Sequence, residues 1–198
     1  MGLDFNYKEG QTPLDPEEIV GLLIPTIATH GELDEFEQQN IEKAIQWSMV
    51  RTFKPEMIFT EDFIRKIHAQ MYGDVWAWAG EFRKTNKNIG VDYWKISLEL
   101  KKLLDDTMYW YRNNSFPPDE LAIRFKHRIV SIHCFSNGNG RHSRLMADII
   151  IDKVYKKQVF SWGSKNLKGS EEARRAYLKA LKIADKGEYL LLNQFARS

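Results

Sequence analysis

Apolar residues along most of the chain recur every three or four positions, which is the spacing of amphipathic helices. Serine, threonine, aspartate or proline precedes several of these stretches, as at helix starts. The pattern predicts helices over residues 16–23, 33–51, 61–72, 97–111, 117–133 and 141–155, a further helix that begins at 170, and a last one from about 188. We therefore predict an all-α fold.

The middle of the chain departs from this pattern. Residues 81–96 show little helical periodicity and follow Gly73 and Gly80, so we expect two short strands there. A chain of 198 residues forms one domain, or a core with a small appendage. We divide it into an N-terminal helical segment, 1–54, and a core that includes the C-terminal helices, 55–198.

Composition excludes several function classes. Lysine and arginine total 29 against 27 acidic residues, so the net charge of +2 makes a nucleic-acid partner unexpected. No stretch reaches the roughly 18 apolar residues of a membrane span, and the N-terminus lacks the cationic and apolar regions of a signal peptide. The single cysteine, Cys134, rules out an internal disulfide and fits a reducing compartment. We expect a cytoplasmic protein with no membrane partner.

Residues 133–144 carry the clearest chemical signal, and they read His-Cys-Phe-Ser-Asn-Gly-Asn-Gly-Arg-His-Ser-Arg. An apolar run follows at once, which is typical of a loop that leads into a helix N-terminus, where unpaired backbone N–H groups and the helix dipole attract anions. We interpret the stretch as a polyphosphate site beside a potential base. Asn-Gly pairs also favour hairpin turns, but the flanking apolar residues have helical spacing rather than the alternation of strands.

The phosphate site has three kinds of donor. Backbone N–H groups of Gly138, Asn139 and Gly140 can converge on phosphate oxygens, because residues without bulky side chains let the backbone approach closely. Arg141 can bind a β- or γ-phosphate through two parallel hydrogen bonds. Arg144 lies one turn later, so both guanidinium groups could face one ligand.

His133 is the candidate base. An imidazole with a pKa near ~6.5 can accept a proton from a hydroxyl near neutral pH. Taken alone, His133 is as well explained as a capping residue of the helix before it. For its neighbour Cys134 we favour a small buried filler over a reactive thiolate, and Phe135 is interpreted as an apolar anchor of the loop.

These residues resemble the signature of the Fic family, His-x-Phe-x-(Asp or Glu)-Gly-Asn-Gly-Arg-x-x-Arg. The matching positions are His133, Phe135, Gly138, Asn139, Gly140, Arg141 and Arg144. Upstream, residues 76–83 resemble the family's Trp-Ala-Gly-x-x-Arg segment, and residues 63–68 resemble the helix before it. The similarity spans about residues 55–160, and the whole chain is similar to the branch called mobile mystery protein B.

The resemblance implies a Fic-like helical bundle with a short β-hairpin flap, and a protein adenylyltransferase. His133 would take the proton of a Ser, Thr or Tyr hydroxyl on a target protein, or on the chain itself. The hydroxyl oxygen would attack the α-phosphate of ATP, giving AMP-protein and pyrophosphate. The flap would align the target by strand-like pairing at Asn88, Ile89, Gly90 and Val91, although these residues could also form a plain surface hairpin.

Asn137 departs from the family signature, which has Asp or Glu there as the ligand of Mg²⁺. An amide oxygen is a neutral ligand, so Mg²⁺ or Mn²⁺ would bind more weakly at Asn137. The departure leaves open a second hypothesis, a nucleotide-binding regulatory module with weak or no transfer. A third, a helical interaction protein, rests mainly on the branch resemblance.

The predicted helix 33–51 carries an acidic residue on its apolar side. Glu37 lies in the middle of the apolar arc, where a carboxylate is costly unless a cation meets it. Many Fic proteins carry an inhibitory helix whose glutamate pairs with the second arginine of the motif, and Glu37 resembles that glutamate with Arg144 as its partner. Leu33 and Gln38 depart from the inhibitory pattern. A glutamate that only stabilises the fold, paired with another basic residue, is therefore an equal alternative.

Overall fold

The computed structural model describes residues 15–164 and 170–198, and within these ranges the fold is helical and contains no β-sheet. The helices are α1 (Pro16–Ile19), α2 (His30–Met49), α3 (Pro55–Ile58), α4 (Glu61–Tyr72), α5 (Ile96–Arg112), α6 (Pro118–Ile132), α7 (Asn139–Ile149), α8 (Ser170–Ala184) and α9 (Leu190–Arg197). A 3-10 turn at Tyr93–Lys95 precedes α5, and a π-helical turn at Ile150–Val154 extends α7. The all-α prediction is confirmed.

Capping residues explain where two of these helices begin. α4 begins after Thr60, as predicted, and the Thr60 hydroxyl accepts a hydrogen bond from the amide of Phe63 at 3.2 Å. α2 begins earlier than predicted, at His30, because Thr29 and Glu32 form a capping box. In this box each side chain accepts a hydrogen bond from the backbone amide of the other residue.

Two short helices differ from the prediction. α1 ends at Ile19 rather than near residue 23, because the backbone beyond it pairs with the segment after α4: Leu22 bridges Trp76, and the amide of Leu23 donates to the carbonyl of Val75 at 2.9 Å. α3 was not predicted, since four residues are too few to show a helical period.

The prediction of two short strands and a β-hairpin flap is wrong, because the described residues 81–96 before α5 form neither. The one β-type contact among these described residues is an isolated bridge between Phe82 and Phe135. The guanidinium of Arg83 donates instead to the carbonyls of Thr85 and Val91. Both ends of the loop are thus tied to a side chain rather than to a partner strand.

α6 lies in the centre of the core, between α5 and α7. Leu121, Phe125 and Ile129, four positions apart on one face of α6, are buried. α2 packs along α4 and also contacts α7, so the loop between α6 and α7 has α2 and α4 beside it. None of the helices described combines the length and the apolarity that a bilayer crossing requires.

Asn40 fixes α2 against the end of α4. Its buried side chain donates to the carbonyl of Gln70 at 3.2 Å and to the carboxylate of Asp74 at 3.3 Å, and accepts from the amide of Asp74 at 3.0 Å. Glu37 lies one turn earlier on the same helix. The Asn40 contacts therefore set where Glu37 enters the core.

Replacing Asn40 with alanine is expected to lower the free energy of unfolding by about 1–3 kcal/mol, because backbone groups of Gln70 and Asp74 lose their partners. Urea denaturation followed by circular dichroism measures the change. Gln39→Ala, at the exposed neighbouring position, is the matched control and should shift it by less than about 0.5 kcal/mol. Equal stability of the two variants would show that Asn40 does not hold α2 in place.

Candidate active site

The loop between α6 and α7 begins and ends in the left-handed backbone region. His133 is the C-cap of α6, with φ 59° and ψ 61°, and Gly138 is the N-cap of α7, with φ 74°. For a residue other than glycine this conformation costs roughly 1–2 kcal/mol. Contacts with other segments of the same chain must therefore hold the backbone of His133 in this conformation.

Arg83 provides those contacts. Its buried guanidinium donates through Nε to the carbonyl oxygen of His133 at 2.6 Å, and its backbone amide donates to the carbonyl of Cys134 at 3.0 Å. Because the same guanidinium binds the carbonyls of Thr85 and Val91, it joins the loop 85–91 to the turn at His133.

Gly90 brings the predicted flap against His133. A Cβ on Gly90, whose φ is 101°, would lie 2.6 Å from the Cβ of His133 and 3.1 Å from the carbonyl oxygen of Ile132. The amide of Val91 donates to that carbonyl at 3.3 Å. Of the predicted flap residues Asn88, Ile89, Gly90 and Val91, the last two therefore lie next to the turn at the candidate base, and the described residues of the flap do not form a hairpin.

The imidazole of His133 is buried, with 3% of the residue exposed. Burial, reinforced by the charge of Arg83, lowers the pKa of His133 to about 4, although a backbone hydrogen bond at Val130 acts in the opposite direction. Above that pH the ring is neutral, which is the form that accepts a proton. His133 is also the C-cap residue of α6. The helix-cap interpretation and the base interpretation therefore do not exclude each other.

His68 packs against the loop between α6 and α7 and is hydrogen-bonded to it. Its Nδ1 accepts a hydrogen bond from the amide of Gly80 at 3.0 Å, so its Nε2 carries the proton and donates to the carbonyl of Asn137 at 3.1 Å. Its ring stacks on Phe135, with the centroids 3.8 Å apart. Phe135 is fully buried, as expected of the loop's apolar anchor.

Side chains of the loop use some of the donors predicted for phosphate. Asn139 is buried and bonds both backbone groups of Phe135, with its Oδ1 accepting at 2.9 Å and its Nδ2 donating at 2.7 Å. The amide of Gly138 donates to Oδ1 of Asn137 at 2.6 Å. Among the described residues no acceptor meets the amides of Asn139, Gly140 and Arg141. These three first-turn amides, rather than that of Gly138, can receive an anion.

Glu37 pairs with Arg141 inside the protein. Glu37 is 4% exposed, and its Oε2 lies 2.7 Å from Nη2 of Arg141 while its Oε1 accepts from Nε1 of Trp76 at 2.7 Å. The Arg141 guanidinium also lies over the ring of Tyr72, 5.2 Å from its centroid. Burial opposes the charge of Arg141, but Tyr72 and Glu37 raise its pKa, and the arginine stays charged.

Arg144 does not pair with Glu37, which corrects the expected ion pair. Its guanidinium lies 5.7 Å from the ring centroid of Tyr177, and its Nε donates to the carbonyl of Gly140 at 3.4 Å. Three residues along a helix leave two side chains about 60° apart around its axis. Even so, Arg141 contacts Glu37 on α2, whereas Arg144 lies beside Tyr177 on α8.

In the part of the chain that the structure describes, a cavity borders Arg141 on the side of α2. A cavity of about 510 Å³ is lined by Asp34, Glu35, Gln38, Gln39 and Arg141. The Arg141 side chain is 33% exposed, whereas that of Glu37 is 6% exposed. A ligand can therefore reach the guanidinium from the side of α2 without first unfolding the core.

The residues at Asn137 do not form a Mg²⁺ site of their own. The Asn137 side chain offers one neutral oxygen, which accepts the hydrogen bond from Gly138 and keeps a second lone pair. Residues 15–164 and 170–198 contain no group of three or more His, Cys, Asp or Glu side chains that could hold a metal ion. Mg²⁺ prefers six oxygen ligands including carboxylates, so phosphate oxygens and water would have to supply nearly all of them.

Sequence reasoning gave no separate role to three residues that build the site: His68, Tyr72 and Arg83. The first two lie on the buried face of α4 with Ile64 and Ile67, where a polar atom on an apolar stripe was the available signal. Arg83 lies outside any periodic segment, and its signal was its place at the end of the segment 76–83 that resembles Trp-Ala-Gly-x-x-Arg. Cys134 behaves as predicted: it is buried, and burial raises the pKa of its thiol to about 12.

Solved structures of known proteins resemble this chain. A fragment of Fic-1 from C. elegans superposes with a TM-score of 0.66 at 21% identity, over 90% of this chain and 51% of the fragment. The BepC protein of Bartonella tribocorum, solved with AMPPNP, gives 0.65 at 14% identity over 92% and 97%. A Fic domain of a VirB-translocated effector from Bartonella quintana, solved with ADP, gives 0.63 at 16% over 87% and 86%. At these identities the likeness shows the fold, and this chain spans about half of the Fic-1 fragment.

Residues 58–151 match the family model described as the Fic/DOC family. The matched range runs from the end of α3 into the turn that follows α7, and it contains the whole motif from His133 to Arg144. Over residues 58–151 the chain is therefore similar to the Fic/DOC family.

Proposed function

We propose that this chain transfers AMP from ATP to a Ser, Thr or Tyr hydroxyl of a target protein. One arrangement carries the proposal: a buried, neutral imidazole at His133 lies one short loop from the free amides and the arginine at the start of α7. The nucleotides in the BepC and Bartonella quintana structures support a nucleotide as the ligand.

The phosphate chain of ATP would bind at the N-terminus of α7. The amides of Asn139, Gly140 and Arg141 would donate to phosphate oxygens, and the dipole of α7 would favour their negative charge. The guanidinium of Arg141 would bind the outer phosphates, and Arg144 would contribute positive charge from one turn further along. The side chain of Asn139 would act only by holding the loop.

His133 would act as the general base. Its neutral ring would take the proton of the target hydroxyl as the oxygen forms a bond to the α-phosphorus. The bond from that phosphorus to the bridging oxygen would break, and pyrophosphate would leave. This step leaves AMP on the target and the proton on His133, so charge and atoms balance.

The loop 85–91 would position the target. Among the described contacts, Val91 already uses both backbone groups, with Ile132 and Arg83, whereas the backbone of residues 88–90 makes no hydrogen bond. Ile89 is 48% exposed. An extended target segment would therefore pair with residues 88–90, which end next to His133, rather than with the whole loop.

Glu37 would restrain the reaction. Its carboxylate occupies the guanidinium of Arg141 at 2.7 Å, so ATP must compete for that group. The restraint would act through Arg141 and not through Arg144, which was the partner inferred from the family resemblance.

A nucleotide-binding regulatory module is the alternative, and Asn137 favours it. Without a carboxylate at this position, metal binding depends on the nucleotide itself. Such a module would bind ATP through the same amides and Arg141 but would release it unchanged.

His133→Ala is expected to reduce transfer at least about 100-fold, because it removes the base. The measurement is transfer of label from α-labelled ATP to proteins of a cell lysate, with Mg²⁺ or Mn²⁺ present. His30→Ala, on the first turn of α2, is the matched histidine control and should retain transfer. Full transfer by His133→Ala would contradict the proposal, and nucleotide binding without transfer by every form would favour the regulatory module.

Glu37→Gln is expected to raise the affinity for a non-hydrolysable ATP analogue about 10-fold or more, since each 1.4 kcal/mol of lost competition gives a factor of about ten. The glutamine oxygen can keep the bond from Trp76 while its NH₂ group repels Arg141. Calorimetric titration measures the affinity, and Glu42→Gln, an exposed glutamate on the same helix, is the control. Unchanged affinity in Glu37→Gln would rule out competition for Arg141.

Asn137→Asp is expected to lower the Mg²⁺ concentration that gives half-maximal transfer by about 10-fold, because a carboxylate is a stronger Mg²⁺ ligand than an amide. The aspartate can still accept the hydrogen bond from Gly138, so the loop keeps its shape. Transfer measured across a Mg²⁺ series tests this, with Asn113→Asp on the exposed end of α5 as control. The same Mg²⁺ dependence in both variants would place the metal elsewhere.

A further inference from the structure

The hydroxyl of Tyr72 is a buried donor with no described use. Tyr72 is the last residue of α4, and 1% of the residue is exposed. Its Oη is fully buried and meets no hydrogen-bond partner within the described parts of the chain. Buried polar groups in native proteins are nearly always paired, so an exception calls for an explanation.

The hydroxyl lies at the start of α7. An ideal Cβ on Gly138 would come within 2.5 Å of Oη of Tyr72, so Gly138 leaves the space that the tyrosine fills. The guanidinium of Arg141 covers the ring face, and the ring of His68 lies 4.8 Å away, centroid to centroid. Tyr72 therefore lies between the loop and the arginine that are assigned to phosphate.

No protein acceptor in the described part of the chain pairs with the Tyr72 hydroxyl, and the acceptors nearest to the site have other partners. Both carboxylate oxygens of Glu37 have partners, Trp76 and Arg141, and Oδ1 of Asn137 accepts from Gly138. Burial also raises the pKa of Tyr72, so the phenol keeps its proton. The group is a permanent donor beside three free amides and a guanidinium, a set whose common ligand is an anion.

We infer that Tyr72 donates a hydrogen bond to a phosphate oxygen bound at the N-terminus of α7, and so acts as a further phosphate-binding residue. The inference rests on the proposed function, because it places the polyphosphate of a nucleotide at that helix end. In the free protein the hydroxyl has no hydrogen-bond partner among the described residues, and a phosphate oxygen of the ligand would be its acceptor.

Tyr72→Phe tests the inference, because it removes the hydroxyl and keeps the ring under Gly138 and Arg141. Calorimetric titrations would compare a non-hydrolysable ATP analogue, pyrophosphate, orthophosphate and adenosine, in the native chain and with Glu37→Gln. We expect the analogue and pyrophosphate to bind about 10-fold more weakly to Tyr72→Phe, since hydrogen bonds to charged groups are the stronger ones. Adenosine binding should not change. Weakening of orthophosphate alone would assign the hydroxyl to a free-anion site and overturn the inference for a nucleotide.

Thermal unfolding without ligand separates this role from a structural one. A hydroxyl that waits for a ligand stabilises nothing in the free protein, so Tyr72→Phe should unfold at the native temperature or above it. Tyr111→Phe, a partly buried tyrosine of α5, is the matched control. A lower unfolding temperature for Tyr72→Phe with unchanged affinities would overturn the inference and leave the proposed function standing. Failure of every form to bind the analogue would overturn both.

Discussion

The site depends on one backbone turn, the left-handed conformation of His133 between α6 and α7. Helices commonly end in this conformation with glycine, which carries no side chain to strain. Here histidine occupies the position, and the buried guanidinium of Arg83 binds its carbonyl at 2.6 Å. The turn lies six residues before Asn139, whose amide is the first of α7. Without Arg83, this hydrogen bond would no longer offset the strain of the left-handed conformation at His133.

The buried histidines that support the loop between α6 and α7 are neutral, so the positive charge of the site comes from other groups. His68 and His142 are fully buried, and burial lowers the pKa of both. Nε2 of His68 is hydrogen-bonded to the carbonyl of Asn137, and Nε2 of His142 to the carbonyl of Ile64. The positive potential at the start of α7 then comes from the helix dipole and from Arg141 and Arg144. An anion would therefore meet a site whose positive charge comes from two arginines and the helix dipole.

The motif and the helix patterns were readable from the sequence, because both depend on local spacing. α4 and α6 lie where periodicity and capping residues placed them, and the amide-rich loop joins α6 to α7. The pairing of Glu37 with Arg141 was not readable, since it depends on the rotation of α7 against α2. The missing hairpin has a similar cause: Arg83, far from any periodic stretch, takes the carbonyls that a partner strand would have used.

Under the proposed function, Arg141 would link the docking of α2 to phosphate binding, because its guanidinium cannot fully serve both Glu37 and a phosphate. Removing Arg141 from Glu37 leaves a buried carboxylate with Trp76 alone, and breaking such a pair costs about 3–5 kcal/mol. Under the proposed function, the free energy by which the Glu37 contact weakens nucleotide binding would equal the free energy by which bound nucleotide weakens the contact of α2 with Arg141. Leu33 and Gln38 need not match an inhibitory pattern for this coupling to operate. Leu33 is a buried core residue, and the coupling needs only the burial of Glu37, which Asn40 secures one turn later.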